Sequence, residues 1–107
     1  MELIGLMNDT KWDELRLAMY RLGKQAPRWR TCCKDNGHVS AWDGEWFYHF
    51  RNDGYGDIAW VEIQTGTASQ HALVHACIKA IHLPGEQTKS GFIIYGYLPV
   101  GTAIDYL

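Results

Sequence analysis

The chain has 107 residues, 47% hydrophobic, 13% aromatic and 21% charged, with a formal net charge of -2. This is the composition of a globular chain, not of a disordered segment, and the small net charge excludes a global field that selects nucleic acid or anionic membrane. No run approaches the ~18 apolar residues that span a bilayer, and three cysteines, two of them adjacent, make a poor disulfide framework.

These features predict one domain over residues 1–107, cytoplasmic, with reduced thiols. The opening, MELIGLMNDTKW, has no basic region and its apolar run stops at Met7, so it does not read as a signal peptide. Residues 1–7 are expected to form a flexible leader. The first element is a helix from about Thr10 to Leu22. Asn8, Asp9 and Thr10 are cap candidates, and Trp12, Leu15, Met19 and Leu22 form one apolar stripe. Gly23 and Pro27 end it.

From Arg28 the period changes to that of strands. RWRTCC reads as a strand, KDNG as a turn, HVSAW as a strand and EWFYHF as another, joined by Asp43-Gly44 in a type I′ hairpin turn. After the turn RNDGYG, DIAWVEI is a further strand. A second helix, capped by Thr67 or Ser69, runs to about His82 with Leu73, Val74, Cys77, Ala80 and Ile81 inward, and Pro84-Gly85 closes it. A polar loop, EQTKS, leads to the strand GFIIYGYLP, and the tail VGTAIDYL adds a short final strand. The sum is an α+β fold, an antiparallel meander of about five strands with two helices in the order α-β-β-β-β-α-β(-β).

Alternation along SAWDGEWFYHF places Trp46, Tyr48 and Phe50 on one face and Phe47 and His49 on the other. Two helices cannot obviously cover so much aromatic surface. An exposed aromatic patch rimmed with acids is therefore expected to bind a protein through Trp42, Asp43, Glu45, Trp46, Tyr48, Asp57 and Trp60.

Other constellations read more blandly. His71, His75 and His82 lie within about 40° on a helical wheel. His82 is nonetheless about 10 Å from His75 by helical rise, and Ala72 stands where a zincin motif needs glutamate. A polar helix face is the simpler reading, with no metal and no cofactor. Glu45 and His49 would be about 13 Å apart along a strand, too far for direct contact, so no catalytic group is expected from Asp43, Glu45 and His49. The basic residues Arg21, Lys24, Arg28, Arg30 and Lys34 contain no acid among them, whereas Asp43, Glu45, Asp53, Asp57 and Glu62 are opposed by Arg51 alone. The alternatives are a small RNA-binding surface, with Arg28, Trp29 and Arg30 exposed on one rim although no recognised motif supports it, or a metal-binding or enzymatic domain, with Asp43, Glu45, His49 or the His71–His75 pair converging in a pocket.

Taken together, NDTKWDELRLAMYRL, PRWRT, SAWDGEWFYHF, IAWVEI and IIYGYLPVGTAIDYL resemble an uncharacterised family of small bacterial cytosolic proteins. The resemblance runs from Asn8, with residues 1–6 and the pair Cys32-Cys33 as departures, and it carries over no catalytic residue. In size and style such domains resemble immunity proteins of toxin–immunity pairs. The resemblance implies a non-enzymatic protein that binds and neutralises a cognate toxin.

Overall fold

The computed structural model of the chain describes residues 2–52 and 54–107. The first helix, α1, is Asp9–Arg21, and the Asn8 side chain caps it by accepting the Lys11 amide at 2.8 Å. Leu22 ends it, and Gly23 follows at φ +59°, the left-handed conformation that a helix stop favours in glycine. The second, α2, is Ala68–Ile81, with Thr67 as its cap and His82 at φ 64° closing it ahead of Pro84.

Among the described residues six strands accompany the helices: β1 (Leu3–Gly5), β2 (Arg28–Cys33), β3 (Ile58–Gln64), β4 (Gly85–Thr88), β5 (Gly91–Tyr95) and β6 (Tyr97–Pro99). The larger sheet has the order β2-β3-β5-β4 with every neighbour antiparallel, and β1 pairs antiparallel with β6. The protein is thus α+β as expected, with two helices and antiparallel sheets among the described residues. Residues 3–5, expected within the leader, are paired strand here.

Alternation decides which side of the larger sheet is core. Val61 and Ile63 on β3 and Phe92 and Ile94 on β5 are fully buried, together with Trp12, Leu15 and Met19 of α1 and Val74 and Ile78 of α2. Both helices therefore pack on one face. On α2 the inward positions are Val74 and Ile78, with Cys77 and Ile81 half-buried, whereas Leu73 is 44% exposed and Ala80 is exposed. A helix facing a sheet buries a narrow i, i+4 stripe, and Leu73 falls to its side.

The expected hairpin over residues 40–50 does not form. Residues 39–43 lie along the free edge of β2, with Val39 opposite Cys32 and Asp43 opposite Trp29. Trp29 and Asp43 exchange both backbone hydrogen bonds at 2.8 Å. Beyond Asp43 the chain leaves the sheet. Neither Asp43 nor Gly44 is among the residues of positive φ, so no type I′ turn exists there. The polar loop EQTKS is likewise different, because Gly85–Thr88 pairs with β5 as an edge strand. Residue 96 breaks GFIIYGYLP into two strands, at a glycine whose Cβ would lie 2.0 Å from the Ile58 carbonyl oxygen.

Candidate functional site

The segment after Asp43 is wound by its own carboxylates. Glu45 accepts the amide of Phe47 at 3.0 Å on one oxygen, and those of Tyr48 and His49 at 2.7 and 2.8 Å on the other. Asp43 accepts the Glu45 amide at 2.8 Å and holds His49 Nδ1 at 2.8 Å with its second oxygen. Side chains thereby occupy the donors that a hairpin ladder would need. Burial works against ionisation of both acids. In Asp43 the Glu45 amide and the His49 side chain outweigh it, and in Glu45 the amides of His49, Tyr48 and Phe47 do, so both carboxyls sit below their ordinary values. Glu45 and His49, expected to lie too far apart for direct contact, therefore touch, and Asp43 holds the ring of the same histidine.

This winding sends Trp46 and Phe50 to the same side at a spacing of four. Trp46 is 1% exposed and donates its indole N–H to the Pro27 carbonyl at 2.8 Å. Its ring lies 4.8 Å from Phe50, and Phe50 lies 5.1 Å from Trp29. The buried Arg16 donates to the Phe47 carbonyl at 2.7 Å and so fastens the segment to α1. Trp46, expected at the docking surface, is a core residue. Tyr48 points away and is 72% exposed.

Trp42 and Trp60 lie on the other side of the sheet. The face opposite the core carries Arg28, Arg30 and Cys32 on β2, Trp60, Glu62 and Gln64 on β3, and Ile93 and Tyr95 on β5. No helix packs there. Trp60 stands directly opposite Tyr95 across the two central strands. Arg30 is held by Glu62 at 2.7 Å, and its guanidinium lies 4.5 Å from the Trp42 ring centre, with that of Arg28 at 5.9 Å. Trp42, Trp60, Ile93 and Tyr95 are half-buried, as side chains on an open sheet are when only their neighbours shield them.

The fold thus divides the expected site. Trp42 and Trp60 share the open face, Tyr48 lies on the wound segment, and Asp43 and Glu45 are engaged with backbone amides. Asp57 is exposed beside a cavity of about 320 Å³ that Thr31, His38, His49 and Asn52 also line. Asp53 lies outside the described residues. The alternative RNA rim is corrected as well: Trp29 is 6% exposed and donates its indole N–H to the Glu45 carbonyl, on the side opposite Arg28 and Arg30. Tyr95 and Ile93 join this face without having been among the expected residues. The period-two pattern of GFIIY carried the signal, since burying Phe92 and Ile94 turns Ile93 and Tyr95 outward.

The histidines of α2 have structural partners. His71 stacks on Phe92 at 4.5 Å, and its ring nitrogens lie 2.9 Å from Thr65 Oγ1 and 3.1 Å from Gln87 Oε1. His82 caps the helix and stacks on Tyr106 at 5.0 Å. Among the described residues, Cys33, Asp35 and Asp57 bring potential ligand atoms within 4.8 Å of one another, but Lys34 Nζ already lies 2.9 Å from Asp35. Burial, followed by the neighbouring Cys33, pushes the Cys32 thiol up, the opposite of an activated nucleophile. No helix among the described residues is long and apolar enough to cross a membrane.

Comparison with known proteins places the chain: it belongs to the family of unknown function DUF6678, whose sequence model matches residues 1–101. The match includes residues 1–6, which are therefore part of the shared region and not an addition to it. Neither the comparison with curated proteins nor that with solved structures gave a match.

Proposed function

We propose that the protein is a non-enzymatic protein-binding module and that the open face of the β2-β3-β5-β4 sheet is its docking surface. One observation carries this reading: Trp60 and Tyr95 stand side by side on the central strands, with Ile93 beside them and Trp42 at the rim, and no helix covers them. Trp and Tyr anchor interfaces because they bury large area at low entropic cost. Arg28 and Arg30, stacked on Trp42, add donors for a carboxylate of the partner. In its finer form the reading is a cytoplasmic bacterial immunity protein that neutralises a cognate toxin domain by holding it on this face. Small size, a packed core behind and an aromatic face in front are what such a role requires.

The test is co-purification from the native host with Trp42→Ser, Trp60→Ser and Tyr48→Ser baits. A partner lost with the first two and kept with the third supports the sheet face. Capture indifferent to Trp60→Ser removes it, and identification of the captured protein as a toxin decides the finer form.

A second reading, single-stranded nucleic acid, is favoured by the two guanidiniums beside Trp42 next to the Trp60–Tyr95 pair, since bases stack on such platforms. Glu62 and Glu86 on the same face oppose it. Oligonucleotide binding with a steep salt dependence that disappears in Arg28→Ala/Arg30→Ala would establish it.

A further inference from the structure

We propose that the open sheet face closes on the same face of a second copy of this chain, about a twofold axis parallel to the strands. The inference rests on reading this face as the docking surface, and it names the occupant.

The pairing register lays the face out in rows. One runs Cys32, Trp60, Tyr95; the next Arg30, Glu62, Ile93, Glu86; the third Arg28, Gln64, Gly91, Thr88. The middle of the face carries Trp60, Tyr95 and Ile93 beside Glu62 and Gln64, and its two edges differ in charge. The β2 edge carries Arg28 and Arg30, and the β4 edge carries Glu86, which is exposed and accepts the Tyr95 hydroxyl at 2.8 Å. Glu62 already holds Arg30, so Arg28 supplies the charge that this edge has to offer a partner.

Two sheets can meet face to face about an axis across the strands or along them. An axis across the strands lays β2 on β2 and brings Arg28 and Arg30 against the same arginines, which repel. An axis along the strands lays β2 over β4 of the second copy and β3 over its β5. Arg30 then stands over Glu86 of the second copy. Arg28, two residues along the strand at about 7 Å, also reaches that carboxylate. Trp60 falls over Tyr95 of the second copy, and Tyr95 over its Trp60. The usual ~30° offset between packed sheets blurs these positions without changing which edges meet. Charge thus selects one of the two arrangements, and that arrangement also pairs ring with ring. At strand spacings of about 4.8 Å and about 3.4 Å per residue the face measures roughly 19 by 17 Å. That is small for a stable interface, so a dimer that dissociates at micromolar concentration is expected. A heterologous partner on the same face would compete with the second copy.

The decisive experiment is sedimentation equilibrium of the full chain from about 1 μM to 1 mM, with far-UV circular dichroism confirming that each variant is folded. The wild type should pass from monomer to dimer in this range. Arg28→Glu and Glu86→Arg should each raise the dissociation constant at least about tenfold, and the double variant should recover most of the loss, because the swapped pair again has opposite signs. A chain that stays monomeric at 1 mM overturns the proposal. So does a dimer indifferent to the single reversals, or one that the double variant fails to restore. A monomer whose partner capture still depends on Trp60 overturns the dimer and leaves the docking face standing; a monomer whose capture ignores Trp60→Ser removes both.

Discussion

The Glu45 carboxylate accepts the amide of His49, four residues further along, at 2.8 Å, while Asp43 holds the ring of the same histidine at 2.8 Å. Two side chains thus form the local structure of residues 43–49 in place of a strand ladder. Replacing Glu45 with alanine leaves three amides to water and should cost about 1–2 kcal/mol, the scale of a lost helix cap. Chemical denaturation would show it, and a change below a few tenths of a kcal/mol would mean that packing alone shapes the segment.

Gly44 separates the two local geometries. In a type I′ turn it would need positive φ, and alanine there would be strained. Here its φ is ordinary and nothing lies within 4 Å of an added Cβ. Gly44→Ala should therefore change stability by less than about 0.5 kcal/mol. Gly91→Ala is the contrast, because its Cβ would meet the Ile63 carbonyl oxygen at 1.8 Å and push β5 from β3. A loss of about 1–3 kcal/mol or more is expected in a thermal or denaturant melt.

Trp46 and Trp60 should respond in opposite ways. Trp46→Ala empties the aromatic core and strands the Pro27 carbonyl, a loss of about 3–5 kcal/mol. Trp60→Ser on the open face should cost far less stability while abolishing association. Parallel melts and binding assays on the two variants measure this split, and equal destabilisation would mean that the sheet face is packed after all.

The dependence on pH follows from three depressed carboxyls. Asp13 is lowered first by the Tyr55 hydroxyl and then by Arg16, against burial, and Asp43 and Glu45 are lowered by the bonds described above. A folded-state pKa below the unfolded one stabilises above the unfolded value and is lost as pH falls through the folded one. Stability should thus be level above the ordinary values of 3.8 and 4.5 and decline below them. Glu45→Gln should flatten part of that decline. At the other end, burial, followed by Asp13, pushes the Tyr55 phenol up to about 12 from 10.0. Its contribution is complete below 10.0 and disappears as pH rises toward 12. A melt series across pH checks both limbs, and Tyr55→Phe should remove the alkaline one.

His71→Ala should destabilise the protein by about 1–3 kcal/mol through its lost stacking on Phe92 and the stranded Thr65 and Gln87 groups. The melt should be the same with zinc or with a chelator. A zinc-dependent shift that His71→Ala abolishes would instead make the helix a metal site.

Both helices, their caps and most of the strands were legible from residue order, because they depend on neighbours within a turn or two. Asn8, Thr67 and Gly23 act at fixed offsets, and the stripe Trp12, Leu15, Met19 repeats with the helical period. SAWDGEWFYHF predicts a hairpin because Asp-Gly between aromatic runs is a strong local signal for one. Its real course depends on partners far away in sequence: Pro27 takes the Trp46 indole, Trp29 the Asp43 backbone, and Arg16 the Phe47 carbonyl. Burial divides the candidate site in the same way. Strand alternation can say that Trp60 and Val61 face opposite ways, but which of them meets solvent depends on where α1 and α2 dock. Both helices settle on the Val61 side. That placement is a property of the whole packed chain, since the hydrophobic effect acts on area summed over all the elements and has no local code.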